Sequence, residues 1–166
     1  MRPRVLITLL ALLVVASVGS IQASASGGKN FSASLTGYEE TPTLSVAGTG
    51  SFSARLSGDG TSISYSLTYS DLTGPALFAH IHLGMPAIAG GVIAFLCGGG
   101  GQDPCPGAAG TVTGTIEAAN VVGPEGQGIA AGEFAELVAA MQFGATYVNV
   151  HTDAFPNGEL RGQIGQ

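Results

Sequence analysis

Basic residues are scarce in this chain: lysine and arginine together number five of 166 residues, against eleven aspartates and glutamates. Two of the five, Arg2 and Arg4, stand at the start, which leaves Lys29, Arg55 and Arg161 for everything that follows. So few cations against so many acids repel phosphate backbones and anionic lipid headgroups, which excludes nucleic acid as a partner and disfavours acidic membrane surfaces. No apolar run reaches the ~20 residues of a bilayer span. The longest, Val5 to Val18, follows Arg2 and Arg4 and precedes the small residues of "GSIQASAS". Basic, apolar and small residues in that order describe a secretory signal peptide over residues 1–25, cut after Ala23-Ser24-Ala25 to leave a mature chain from Ser26 with no transmembrane anchor. No cysteine follows the run, so lipid attachment has no acceptor. The expected address is extracytoplasmic: periplasm, cell envelope or medium.

Catalytic signatures are missing as well. There is no Ser-His-Asp order with a nucleophile elbow, and "GGGG" at Gly98 to Gly101 lacks the Lys-Ser/Thr of a phosphate-binding loop. The adjacent acids Glu39 and Glu40 point to opposite faces of an extended segment, so they suit solvation or a meeting with Arg55 or Arg161 better than acid/base work. Cysteine is limited to Cys97 and Cys105, in "CGGGGQDPCPG". In an exported chain this pair closes a flexible loop as a structural disulfide. The alternative, two soft metal ligands, needs partners that the surrounding glycines and Asp103 do not supply.

Glycine and proline, by contrast, are plentiful at 27 and 8 residues, and they punctuate segments that alternate with period two. In "FSASLTG", Phe31, Ala33 and Leu35 share one face and Ser32, Ser34 and Thr36 the other. "SFSARLS" repeats this with Phe52, Ala54 and Leu56. After the turn "GDG", Ile63, Tyr65, Leu67 and Tyr69 alternate through "TSISYSLTYS", a strong hairpin signal. Further strands are expected at "ALFAHIHL", "GVIAFLC", "GTVTGTIE", "TYVNVHT" and "GELRGQI". The continuous apolar run Val92 to Leu96 predicts a strand covered on both faces. One segment departs from the pattern: in "GEFAELVAAMQFG", Phe134, Leu137, Val138 and Met141 form a helical stripe, with acids at Glu133 and Glu136 and Gly144 placed to end it. The expectation is a short linker over residues 26–30, then one all-β domain over 31–166. Its architecture is an antiparallel β-sandwich with one short helix.

All three histidines of the chain fall in two of these strands. In "ALFAHIHL" the apolar set is Leu77, Ala79, Ile81 and Leu83, so Phe78, His80 and His82 take the other face. In "TYVNVHT", Val148 and Val150 point inward, leaving Tyr147, Asn149 and His151 outward. Imidazoles two residues apart on a strand lie ~6.5–7 Å apart at Cβ and can turn toward one ion. Were the two strands neighbours, His151 would join at a cross-strand spacing of ~5 Å. Three neutral imidazoles suit copper or zinc with a position left open. Asn149, Asp153 and Glu159 are candidates for a fourth ligand or, with Tyr147, for groups orienting the rings. Surface histidines hydrogen-bonded to Tyr147 and Asn149 are the bland alternative, because parity sets the faces without establishing adjacency.

Taken together and in order, "SLTGYEETP", "GTGSF", "YSLTYSDLTG", "AHIHLG" and "YVNVHTDAFPNGELRGQI" resemble the chordin-type (CHRD) domain from Phe31 to Ile164. The resemblance implies an extracellular, immunoglobulin-like module whose pattern carries the His-x-His and the late His-Thr, here His80, His82, His151 and Thr152. Chordin's antagonism of growth factors runs largely through von Willebrand type C modules that this chain lacks, so that activity is not implied. "FAHIHLG" is also similar to the copper-ligand strand of copper/zinc superoxide dismutases, themselves sandwiches. That likeness covers the strand alone. The zinc-loop histidines and the arginine beside the copper have no evident counterparts, and dismutase activity is not implied. Three functions are therefore expected to compete: a non-catalytic module binding copper or zinc through His80, His82 and His151; a structural or adhesion module binding an extracellular protein or matrix; and a small metalloenzyme. In the first, affinity should fall below pH ~6.5 as free imidazole protonates.

Overall fold

The computed structural model describes residues 28–166; the leader read at 1–25 lies outside the described residues. The chain forms strands β1 (Asn30–Thr36), β2 (Thr49–Leu56), β3 (Ile63–Ser70), β4 (Ala76–Leu83), β5 (Val92–Cys97), β6 (Gly110–Ile116), β7 (Thr146–Thr152) and β8 (Leu160–Gln163). One α-helix, α1 (Phe134–Phe143), separates β6 from β7. The strands make one eight-stranded antiparallel sheet in the order β5-β4-β7-β8-β1-β2-β3-β6.

Period-two alternation is what folds this sheet over. Each strand has one apolar face that must leave water. Phe31 and Leu35 of β1, Phe52 of β2, and Ile63, Leu67 and Tyr69 of β3 are buried, as are Ile81 of β4, Ile93 and Leu96 of β5, and Val148 and Val150 of β7. The β8–β1 junction is thin, reduced to the pairing Thr36↔Arg161 and the bridge Ser32↔Gly165, and the sheet turns there. At the far edges Val121, just past β6, bridges Ala94 of β5. Two tyrosines of β3 span the interior: Tyr65 Oη donates to the Leu96 carbonyl at 2.7 Å and Tyr69 Oη to the Pro106 carbonyl at 2.6 Å. Both acceptors flank the Cys97–Cys105 disulfide, whose Cα atoms lie 5.0 Å apart. The result is a sandwich approaching a closed barrel.

The helix follows its stripe. Phe134, Leu137 and Met141 are buried, and Val138 packs partly against the core. Gly144 ends it in the left-handed conformation, φ 79°, returning its N–H to the last-turn carbonyls. One sequence expectation fails. Leu77, assigned inward with Ala79 and Ile81, is exposed. A register shift in the β4–β7 ladder between Ala76 and Phe78 puts Ala76 on the inner face instead.

Candidate metal centre

Strands β4 and β7 are hydrogen-bonded neighbours, with Phe78 opposite His151, His80 opposite Asn149 and His82 opposite Tyr147. Their core side is filled by Ala79, Ile81, Val148 and Val150, none with accessible surface. The opposite side therefore carries the three imidazoles together. β8 extends this face with Arg161 opposite Asn149 and Gln163 opposite Tyr147. On the other flank, β5 pairs Phe95 with His80.

This second face is not left to solvent. His80 and His82 are 7% and 8% exposed, and His151, half-buried, forms the rim. Phe95 meets the His80 ring edge-on at 4.5 Å between centroids, and Phe78 stacks on it at 5.9 Å. Tyr147 lies parallel to His82 at 4.8 Å and holds the Arg161 guanidinium 3.6 Å over its own ring. Arg161 is 2% exposed and donates to three neutral oxygens: the Met85 and Ile88 carbonyls, each at 3.0 Å, and the Thr41 hydroxyl at 3.5 Å. It thereby pins the segment after β4 across the face. Gly90 N–H donates to Tyr147 Oη at 3.2 Å and closes the same cover.

Hydrogen bonds fix which nitrogens carry lone pairs. A carbonyl can only accept, so His82 Nδ1, 2.9 Å from the Gly90 carbonyl, is the protonated nitrogen of its ring, and Nε2 carries the lone pair. His151 Nδ1 is likewise held by the Pro156 carbonyl at 3.0 Å, which frees Nε2. That Nε2 accepts a hydrogen bond from His80 Nδ1 at 3.1 Å, which a bound ion would replace. His82 Nε2 is buried and has no hydrogen-bond partner among the described residues. One ligand atom from each of the three rings lies within 4.8 Å of the others. Nitrogens bound tetrahedrally at ~2.0–2.1 Å sit ~3.3 Å apart, so small side-chain shifts bring the set onto one ion. An orphaned buried lone pair aimed into a three-imidazole cluster fits a copper or zinc ion.

Burial decides the charge state. Desolvation, followed by the nearby His151 and His82, pushes His80 down to about 3. Desolvation also takes His82 down to about 4, opposed by the Gly90 hydrogen bond and helped by His151 and Arg161. His151 is lowered for the same primary reason. All three rings are neutral at neutral pH, and the fall in affinity expected near pH 6.5 moves to more acid conditions.

The remaining residues named from sequence are spread around this cluster. Tyr147 stacks on a candidate ligand as described. Asn149 Nδ2 donates to Glu40 and, at 3.1 Å, to the Leu160 carbonyl. Glu159 is fully buried, but its carboxylate accepts from Thr73 N–H and the Thr152 hydroxyl, each at 2.7 Å. Asp153 is exposed. Among the described residues neither acid belongs to the ligand cluster, which holds the three histidines only.

A comparison with protein families decides the wider kinship: the model of the CHRD domain matches residues 31–164. The chain belongs to the CHRD family. No curated protein and no solved structure matches it. Of the four CHRD-pattern positions, His80, His82 and His151 converge, while Thr152 faces the interior and anchors Glu159. Sequence reading missed the Gly90 and Pro156 carbonyls, the Phe95 wall and the buried Arg161. Arg161 was within reach, because in "GELRGQI" it shares parity with Gln163 and, across the ladder, with Asn149. Glu39 and Glu40 were expected to serve solvation, or one of them to meet Arg55 or Arg161; Glu39 is exposed and Glu40 is buried. Glu40 lies in the field of Arg161, and its burial pushes it up to about 7 against the pull of the Thr41 N–H, Arg161 and Asn149. The carbonyls lie in loops whose sequence carries no such signal.

Proposed function

We propose that this CHRD domain is an exported, non-catalytic module that holds one copper or zinc ion between His80, His82 and His151. The observation that carries the reading is the convergence of three imidazole nitrogens, two of them with lone pairs aimed by carbonyl hydrogen bonds on the far side of the ring. Second partners of that kind orient metal-bound histidines and fix their tautomers. Export is supported by the signal-like residues 1–25 and by the Cys97–Cys105 disulfide, a bond of oxidising compartments. Among the described residues no helix is long and apolar enough to cross a membrane. Three protein nitrogens leave room on the ion for water or an outside ligand. Among the described residues the groups packed on the cluster are the Phe78, Phe95 and Tyr147 rings, with the hydrogen-bonded Arg161 carried over Tyr147. That surrounding favours holding an ion over turnover.

The test is a titration of the purified mature chain with Zn(II) and with copper in both valences, beside His80→Ala/His82→Ala and His151→Ala variants. One ion per chain is expected, with affinity reduced at least a hundredfold in the double variant. Equal binding by native and variant chains would remove the reading.

A further inference from the structure

The cluster described above is short of negative charge. Its donors are three neutral imidazoles, with no carboxylate or thiolate in the set. Its walls are the Phe78 and Phe95 rings. The formal charge packed against it is the Arg161 guanidinium, carried over Tyr147, which itself stacks on His82. That cation is almost wholly buried and hydrogen-bonded to neutral oxygens. Glu40, the acid in its field, is itself buried and partly protonated near neutral pH, so it compensates the arginine incompletely.

From this arrangement we infer that the site prefers copper in its monovalent state, Cu(I), over Cu(II) and Zn(II). This rests on the three-histidine reading above and adds the valence to it. The cost of moving an ion out of water grows with the square of its charge, so a divalent ion is penalised about four times as strongly as a monovalent one. Neutral donors return none of that as charge neutralisation, and the fixed guanidinium repels the second unit of charge. Cu(II) heads the divalent ions for nitrogen donors, so the comparison that matters is between the two valences of copper. Fewer donors also suit Cu(I): three nitrogens serve it, whereas divalent copper takes a tetragonal set that the aromatic walls and the three histidines do not supply.

Chelator competition tests this on the native chain, run anaerobically with a chromogenic Cu(I) chelator and separately with Cu(II) and Zn(II) chelators. Cu(I) should bind at least a hundredfold more tightly than Cu(II), relative to the aqueous couple. At 59 mV per tenfold for one electron, this raises the bound copper couple by about 120 mV. Arg161→Gln should narrow the ratio by about tenfold. Because Arg161 also holds the cover over the site, Arg161→Lys, which keeps the charge, should retain the ratio wherever it folds. Cu(II) or Zn(II) held as tightly as Cu(I) in the native chain would overturn the valence preference and leave the three-histidine site standing. Failure to bind either valence of copper, or zinc, would remove both.

Discussion

At the scale of single residues, proton occupancy separates the cluster from ordinary surface histidines. His80 at about 3 and His82 at about 4 stay neutral well below the usual imidazole value, so lone pairs remain available for an ion in mild acid. Metal affinity measured from pH 7.5 to 5.5 should therefore change less than tenfold and collapse only as pH approaches 4; a tenfold loss per unit starting at pH 6.5 would mark solvent-like imidazoles. The same shifts govern stability without metal. Below pH ~6.5 the unfolded chain takes up protons that folded His80 and His82 refuse, so stability is lost as pH falls through that range. Glu40 works in the opposite direction. Its folded value is raised from 4.5 to about 7, so its contribution is complete below pH 4.5 and is lost as pH rises through 7. The loss amounts to about 3 kcal/mol. Chemical denaturation of the metal-free protein should show stability climbing from about pH 4 and levelling off near pH 7, the histidine gain outweighing the Glu40 loss. Glu40→Gln should steepen the rise between pH 4.5 and 7 while leaving stability level above pH 7.5.

Among the elements, the adjacency of β4 and β7 makes the site, and it is here that sequence was only partly legible. Alternation, with the continuous apolar run of β5, marked the eight strands and put Phe78, His80 and His82 on the face opposite Ile81, because a half-buried strand writes its burial into every second residue. It could not say that β7, far along the chain, would lie beside β4, since pairing is a long-range outcome that period two does not encode. Leu77 was misplaced because a bulge resets parity without leaving a mark in composition. The cover after β4, "GMPAIAGG", has no periodicity, so the burial of His80 and His82 from that side was invisible. Gly90 is the sharpest point of that cover. A side chain there would run into the Leu83 carbonyl, and its own carbonyl orients His82. Gly90→Val should weaken metal binding tenfold or more through loss of that hydrogen bond, checked by the same chelator competition. Unchanged affinity would show that the loop does not aim the ring.

On the scale of the whole molecule, the sandwich core is what makes the second face rigid enough to hold three rings in place. Leu137 of α1 is fully buried against it, and Leu137→Ala should cost about 2–5 kcal/mol in denaturant unfolding. The Cys97–Cys105 disulfide closes a short loop at the end of β5, and replacing both cysteines by alanine should cost about 2.5 kcal/mol on loop entropy, with metal affinity preserved because no ligand lies on that loop. The central claim, that His80, His82 and His151 grip one ion, is tested most directly by X-ray absorption at the copper edge of the loaded native chain. The expected spectrum has three nitrogens at about 2.0 Å with the outer-shell scattering of imidazole rings, and it loses that scattering in the His80→Ala/His82→Ala variant. A shell dominated by oxygen, or one unaltered by removing the two histidines, would contradict it.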